Sequence, residues 1–155
     1  MLEQTLVILK PSAIQRELVG EVISRFERKG LRLCGVKMLQ LNDAILSEHY
    51  AHLADKPFFP RVKQAMMASP VIVICWEGVE AVQVVRTMTG ATNGRLAVSG
   101  TIRGDFSVSN QENIIHTSDS PDNAKEEIKR FFSPTELFDY TKISSNFLYA
   151  ESEKL

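Results

Sequence analysis

Two nearly continuous apolar runs constrain the fold of this chain most strongly. The first covers residues 5–9 and the second covers residues 71–76, and both are rich in β-branched residues. Such runs are typical of central strands covered on both faces, because a strand with one solvated face alternates apolar and polar residues. The first run ends at Lys10-Pro11, and proline cannot continue a hydrogen-bonded ladder. We therefore predict two central strands.

Segments with helical and strand periodicity alternate around these two runs. The chain from Leu18 to Phe26 places apolar residues on one helical face and ends at Lys29-Gly30. Ser120-Pro121-Asp122 is a strong start signal for a last helix that runs to about Phe132. The other predicted elements are strands at 31–41 and 113–116 and helices at 43–54, 59–68 and 79–89.

The order β-α-β-α-β-α-β-α favours the α+β class, an α/β sandwich. We predict a ferredoxin-like βαββαβ arrangement, a four-stranded antiparallel sheet with helices on one face, and a small doubly wound sheet is the alternative. A chain of 155 residues suits one domain. We expect that domain to cover residues 1–155, with residues 134–155 as a C-terminal tail that packs on the surface or on a neighbouring subunit.

Charge and composition limit the classes of partner. Lys and Arg number 18 and Asp and Glu number 19, so the net charge of -1 favours neither a nucleic acid nor a membrane surface as partner. No apolar run approaches the roughly 18 residues of a membrane helix, and we expect no signal peptide. Cys34 and Cys75 lie in apolar, strand-like segments and resemble reduced core cysteines. We expect a cytoplasmic protein.

The familiar phosphate-binding and metal-binding motifs are missing from the sequence. The chain has neither G-x-x-x-x-G-K-[ST] nor G-x-G-x-x-G. His49 and His52 are three residues apart, but no third ligand lies near them in the sequence. We therefore interpret this pair as structural.

His116 and Glu127 are candidates for chemistry. His116 ends a short apolar run and precedes a polar turn at a helix N-terminus, where anions are favoured. Neutral imidazole is a good nucleophile because its unperturbed pKa is about 6.5, although a hydrogen-bonded structural histidine is the alternative. Glu127 lies at the edge of the apolar face of the last helix, where a site histidine or hydroxyl could pair with it. A snorkelling surface glutamate is the alternative.

Several residues could recognise phosphates or a base. Lys10 follows an apolar strand, and Arg86 and Arg103 can each offer a planar fork to phosphate. Thr92 lies between these arginines, in a long loop over residues 90–110 that is either functional or disordered. Tyr50 and Phe58 flank a connection, and each is either a core residue or an aromatic contact for a ligand.

Six segments of the chain form an ordered set of short motifs. The segments are Ile8-Leu9-Lys10-Pro11, Leu18-Val19-Gly20-Glu21-Val22-Ile23, Lys56-Pro57-Phe58-Phe59, Gly90-Ala91-Thr92-Asn93, Gly100-Thr101-Ile102-Arg103-Gly104-Asp105-Phe106 and Asn113-Ile114-Ile115-His116-Thr117-Ser118-Asp119-Ser120. Several ordered matches are far more specific than one motif. In order and spacing, these segments resemble the nucleoside diphosphate kinase family, and the resemblance extends over residues 4 to 149.

The resemblance implies a ping-pong transfer of γ-phosphate between nucleoside tri- and diphosphates, with His116 as the phosphoacceptor. It implies that Ser118 and Glu127 orient the histidine and that Asp119 lies near the Mg²⁺ carried by the nucleotide. It also implies a homohexamer, with a tetramer as the alternative. A nucleotide-binding regulatory module without turnover is the alternative function. The positions implied for nucleotide binding are Lys10, Tyr50, Phe58, Arg86, Thr92, Arg103 and Asn113.

Three residues depart from the family's usual pattern. Thr117 stands where the family has glycine, and it would be strained if that position needs a positive φ. Gly94 and Ser99 stand where the family's loop has prolines. We expect each of these two replacements to weaken the loop by roughly 0.4–1 kcal/mol if a proline would be unstrained there, because the unfolded chain gains freedom.

Overall fold

The computed structural model describes residues 2–153. Its strands form one antiparallel sheet in the order β2-β3-β1-β4. The strands are β1 (Leu2–Leu9), β2 (Arg32–Leu39), β3 (Val71–Val79) and β4 (Ile115–Thr117). This architecture confirms the ferredoxin-like α+β prediction and excludes the doubly wound alternative, whose sheet would be mostly parallel.

Within residues 2–153, seven α-helices connect and cover the strands. Asn42 caps α3 by accepting a hydrogen bond from the Ile45 amide, and Ser120 caps α7 by accepting one from Asn123. Gly30 ends α2 in the left-handed region, with φ at 105°. The helices are α1 (Pro11–Gln15), α2 (Val19–Lys29), α3 (Asp43–His49), α4 (Phe59–Met67), α5 (Ala81–Thr89), α6 (Ile102–Phe106) and α7 (Pro121–Phe131).

Both faces of β1 are buried over residues 5–9, as the continuous apolar run there predicts. Val7 and Leu9 belong to a core layer that includes Phe26 of α2 and residues of α5. Leu6 and Ile8 belong to a second layer that includes residues of α3, α4 and α7. The crossover helices α2 and α5, which connect strands that are not neighbours in the sheet, thus lie on one face, as the fold class predicts. Helices α3, α4 and α7 cover the opposite face because that face is equally apolar.

Several predicted elements differ from the structure, and the predicted helix 43–54 ends earlier, at His49. The predicted strand 113–116 begins later, at Ile115, because Ile114 has a φ of 74° that a strand cannot contain. The long loop predicted for residues 90–110 contains the short helix α6, whose N-cap Thr101 accepts a hydrogen bond from Gly104.

The tail after Pro134 packs on the surface beside β2. The Phe138 amide donates to the Cys34 carbonyl at 2.8 Å, and the Tyr140 hydroxyl donates to the Leu33 carbonyl at 2.8 Å. Cys34 and Cys75 are buried and free. Among the described residues, no helix has both the length and the apolar character needed to cross a bilayer.

Candidate active site

His116 lies in the short edge strand β4, directly beside the buried strand β1. Its partner across the ladder is Ile8, which is fully buried. The His116 side chain itself is 20% exposed. A rigid central strand therefore positions an imidazole that a ligand can still reach.

Glu127 and Ser118 hold this imidazole in one orientation. Oε1 of Glu127 lies 3.1 Å from Nε2 of His116, and Oε2 accepts a hydrogen bond of 2.6 Å from the Ser118 hydroxyl. Burial opposes the charge of Glu127, but its hydrogen bonds from His116 and Ser118 lower the net pKa below the ordinary value. An ionised carboxylate only accepts hydrogen bonds, so Nε2 of His116 carries the proton and Nδ1 keeps a lone pair.

Lys10 and Asn113 meet at the end of β1, although 103 positions separate them. The Lys10 ammonium donates to Oδ1 of Asn113 at 2.7 Å. The Asn113 amide in turn donates to the carbonyls of Thr92 and Asn110, which fixes its orientation. Desolvation lowers the pKa of Lys10 to about 8, with a further contribution from Arg103 and an opposing one from Glu112.

A strained turn joins Asn113 to the strand of His116. Ile114 has a φ of 74°, and the Ile115 amide donates to the Asn113 carbonyl at 2.8 Å. A bond from residue i+2 to residue i around a positive φ defines a rare, strained γ-turn. A β-branched residue in this region costs about 1–3 kcal/mol, so the surrounding contacts must hold the turn in place.

The Arg103 side chain stabilises this turn through hydrogen bonds to backbone carbonyls. Its guanidinium donates to the carbonyls of Asn113, Gly90 and Ile115, at 3.2, 3.1 and 2.6 Å. Burial lowers the pKa of Arg103 to about 10, and the charge of Arg86 contributes. Three of its five N–H groups are used in these bonds, so two remain available for an anion.

A cavity of about 420 Å³ opens on His116 and collects most of the predicted site residues. Three cations line it, which makes it suited to a phosphate chain. Arg86 and Thr92 are exposed there. The predicted residues that line this cavity are Lys10, Tyr50, Arg86, Thr92, Arg103, Asn113, His116 and Asp119.

The two predicted aromatic residues have different surroundings. Tyr50 is 8% exposed, and its ring centroid lies 6.5 Å from that of His116. Burial raises the pKa of Tyr50 to about 12, and Glu127 adds to this effect, so its hydroxyl stays protonated. Phe58 is 41% exposed at the start of α4 and lines neither cavity at His116. Its ring is free to contact a planar group from outside.

Asp119 lies at the boundary between two cavities. Its Oδ1 accepts a hydrogen bond of 2.6 Å from the Asn123 amide. The carboxylate lines both the cation-rich cavity and a second one of about 450 Å³ on the other side of His116. One carboxylate facing an open phosphate site fits Mg²⁺, which usually takes few protein ligands and keeps water or phosphate oxygens.

The second cavity contains His49, a residue that the sequence analysis did not connect to His116. The ring centroids of these two histidines lie 4.6 Å apart at an angle of 77°. Desolvation lowers the pKa of His49 to about 3, and the nearby His116 contributes, so His49 is neutral. His49 thus contacts a histidine 67 positions away, and no local spacing indicates this contact.

The structure tests two of the three departures from the family pattern. Thr117 pairs with Val7 in β4, and it is absent from the positive-φ residues of the described chain, so its replacement of glycine brings no strain. The condition for Gly94, that a proline would be unstrained there, is not met. The Gly94 amide donates to Ser109, and an added Cβ would lie 2.3 Å from the Ser107 carbonyl oxygen. Proline cannot donate that bond and would clash, so glycine is required here.

Comparisons of the sequence and the fold with known proteins return one family. The family described as Nucleoside diphosphate kinase matches residues 3–137. A nucleoside diphosphate kinase of Parabacteroides distasonis is 62% identical over 152 residues, covering 98% of this chain and 99% of the relative. Human nucleoside diphosphate kinase A is 46% identical over 147 residues, with 95% and 97% coverage. The structure of a Halobacterium salinarum nucleoside diphosphate kinase in complex with CDP superposes with a TM-score of 0.94 at 38% identity, covering 97% of this chain and all of that chain.

Proposed function

This chain belongs to the nucleoside diphosphate kinase family of phosphotransferases, and we propose that it moves a γ-phosphoryl group between nucleotides through a phosphohistidine at His116. The observation that carries this proposal is the 3.1 Å contact between Nε2 of His116 and the Glu127 carboxylate. The Nε2–H of His116 points to Glu127, so the lone pair of Nδ1 is the free nucleophile. Ser118 holds the second carboxylate oxygen and prevents Glu127 from rotating away.

The transfer takes place in two steps, phosphorylation of His116 and transfer of the phosphoryl group from His116 to a second nucleotide. Nδ1 of His116 attacks the γ-phosphorus of a nucleoside triphosphate, an N–P bond forms, and the bond to the β-phosphate oxygen breaks. The nucleoside diphosphate leaves with that electron pair. A β-phosphate oxygen of a second nucleoside diphosphate then attacks the same phosphorus, and the N–P bond breaks back to the imidazole. One site thus serves both nucleotides in turn, which is a ping-pong cycle.

The cations of the first cavity match the charge that such a transfer develops. Phosphoryl transfer depends mainly on positioning and on stabilisation of charge at the phosphoryl oxygens. Lys10, Arg86 and Arg103 line the cavity that His116 enters, and Lys10 and Arg103 are already held by other protein groups. Preorganised charges of this kind cost little to align at the moment of reaction. We assign Thr92, Asn113 and Tyr50 to contacts with phosphate and sugar oxygens.

Asp119 is suited to hold the Mg²⁺ that accompanies the nucleotide. The ion would neutralise charge on the phosphates, and the carboxylate would keep it at the mouth of both cavities. Asn123 orients this carboxylate through its 2.6 Å hydrogen bond. The imidazoles at the site are poorer ligands for this hard cation than oxygen is.

The exposed ring of Phe58 supports a broad range of nucleotide substrates. A ring that is 41% exposed can stack on a base, and every base has a π-face. Stacking without hydrogen bonds to the base edge separates purines from pyrimidines poorly. We therefore assign the base to Phe58 and expect similar rates with purine and pyrimidine diphosphates.

We further propose that the protein works as a cytoplasmic homohexamer, with a tetramer as the alternative. Exposed apolar side chains in the loop before and after α6 support association, because Leu96, Val98 and Val108 are each more than 70% exposed. Light scattering of the purified chain measures the assembly directly.

Steady-state kinetics test the mechanism. The ATP concentration is varied at several fixed concentrations of GDP, and the double-reciprocal plots are compared. Parallel lines are expected for a ping-pong cycle. Intersecting lines would indicate direct transfer in a ternary complex, whereas nucleotide binding without turnover would indicate a regulatory module.

A further inference from the structure

We propose that a transition-metal ion of the Zn²⁺ class binds between His49, His116 and Glu127 and switches off the nucleophile. One ring nitrogen of each histidine and one oxygen of Glu127 all lie within 4.8 Å of one another. Two imidazoles and one carboxylate form the donor set of open zinc sites, in which a water or ligand completes the coordination. The inhibitory effect rests on the proposed role of His116, but binding of the metal does not.

His49 has a ring nitrogen that the described protein leaves unused. Its Nδ1 lies 3.1 Å from Nη1 of Arg130, whose guanidinium can only donate, so the proton of neutral His49 is on Nε2. That Nε2 atom is buried and has no hydrogen-bond partner among residues 2–153. His49 as a whole is only 6% exposed. A buried polar group without a partner is costly, so a ligand that engages this nitrogen recovers free energy.

The site can be reached from solvent, and its surroundings attract cations. His49, His116 and Glu127 all line the second cavity, of about 450 Å³. The acidic residues of the same cavity outnumber its single cation, Arg130. A cleft lined mainly by one sign of charge concentrates ions of the opposite sign. The other acidic lining residues are Glu48, Asp119 and Glu126.

The distances already approach those of a metal site. Zinc bonds of about 2.0–2.1 Å place tetrahedral ligand atoms about 3.3 Å apart. Nε2 of His116 and Oε1 of Glu127 lie 3.1 Å apart, so a metal ion can replace the proton that they share. Since no ligand pair exceeds 4.8 Å, His49 has to close at most about 1.5 Å to join them.

Binding inactivates the nucleophile through its tautomer. When the metal takes the lone pair at Nε2, the single proton of neutral His116 moves to Nδ1. Nδ1 then has no lone pair with which to attack phosphorus, so the free enzyme is not phosphorylated. In His49 the proton likewise moves from Nε2 to Nδ1, so Arg130 loses its hydrogen bond to Nδ1. Nε of Arg130 still donates to Glu48 at 3.1 Å. No oxidation or reduction is involved.

Isothermal titration of the nucleotide-free, full-length protein with ZnCl₂ tests the site. The wild type is expected to bind one ion per chain. His49→Gln is expected to weaken this binding by about ten-fold or more, since even loss of a supporting partner costs 10–100-fold. His116→Gln should do the same, which covers the case in which one variant misfolds. The control is His52→Gln, which removes an exposed histidine of the same cavity and should leave the Kd within about two-fold.

A second readout separates the switch from the proposed function. The rate of phosphorylation by Mg²⁺-ATP is measured with and without buffered free Zn²⁺, and the ratio is compared between variants. Zinc should slow the wild type and His52→Gln but leave the ratio for His49→Gln near one. Absence of zinc binding, equal binding by His49→Gln, or equal loss in His52→Gln would each overturn the site. Zinc binding as expected by a protein that ATP never phosphorylates would instead overturn the proposed function.

Discussion

Nε2 of His116 lies 3.1 Å from Oε1 of Glu127, and this contact connects the edge strand of the sheet to its last helix. The bond crosses only 11 positions of sequence, yet it determines which nitrogen of the imidazole is free. Ser118 secures the same carboxylate from the core side. The orientation of the nucleophile therefore depends on one partly buried acid.

Replacing that acid tests this dependence. We expect Glu127→Gln to lower kcat by about 100-fold with little change in KM, because the neutral amide no longer enforces the tautomer of His116. The matched control is Glu126→Gln, which changes the adjacent exposed residue that pairs with Lys129. Initial rates at saturating nucleotide measure the effect. Equal kcat values for the two variants would contradict the orienting role.

The two arginines of the first cavity should respond differently to the same change. Arg103→Lys breaks a buried clamp on three carbonyls, so we expect a loss of about 1–3 kcal/mol in unfolding free energy together with lower kcat/KM. Arg86→Lys alters an exposed side chain and should lower kcat/KM without changing stability. Urea unfolding and steady-state rates distinguish the two. A destabilised Arg86→Lys would argue against this division of roles.

The lowered pKa of Lys10 predicts a loss of activity at alkaline pH. Its pKa in the folded protein is lowered to about 8, so the ammonium is present below that pH and is lost as the pH rises through it. We expect kcat/KM to fall above about pH 8. Lys10→Arg keeps its charge in this range and should remove that decline, even if its rate at pH 7 is lower. A decline of equal steepness in both proteins would assign the limit to another group.

The loop before α6 should not tolerate the proline that the family usually has. Gly94→Pro removes the bond to the Ser109 carbonyl and places ring atoms against Ser107, so we expect a lower melting temperature. Ser99 is exposed, so for Ser99→Pro we expect the opposite result, an increase of roughly 0.4–1 kcal/mol in the free energy of unfolding. Thermal unfolding shows whether each variant melts below or above the wild type. A stabilised Gly94→Pro would show that the loop can rearrange.

Sequence patterns predicted the elements that depend on local chemistry. The apolar runs of β1 and β3 located the centre of the sheet, and Ser120-Pro121 located the start of α7. Elements that depend on contacts between distant parts of the chain were harder to predict from the sequence. The left-handed Ile114 is held by Arg103 and the Lys10 amide, and nothing in the sequence near an isoleucine indicates a γ-turn.

The candidate site shows the same limit. Motif order indicated Lys10, Asn113 and His116 before any geometry was known, and the structure brings all three to one cavity. His49 was interpreted as structural because its sequence neighbours suggest only His52 as a partner. Its contact with His116 arises where α3 packs beside α7 and β4, and only the tertiary fold brings these together.

The most direct test of the central claim is the intact mass of the protein after reaction. Purified protein is mixed with Mg²⁺-ATP, measured, and measured again after addition of GDP. We predict a gain of one phosphoryl group that disappears with GDP and does not form in His116→Ala. An unmodified wild-type mass, or a gain that persists in His116→Ala, would contradict a phosphohistidine at His116.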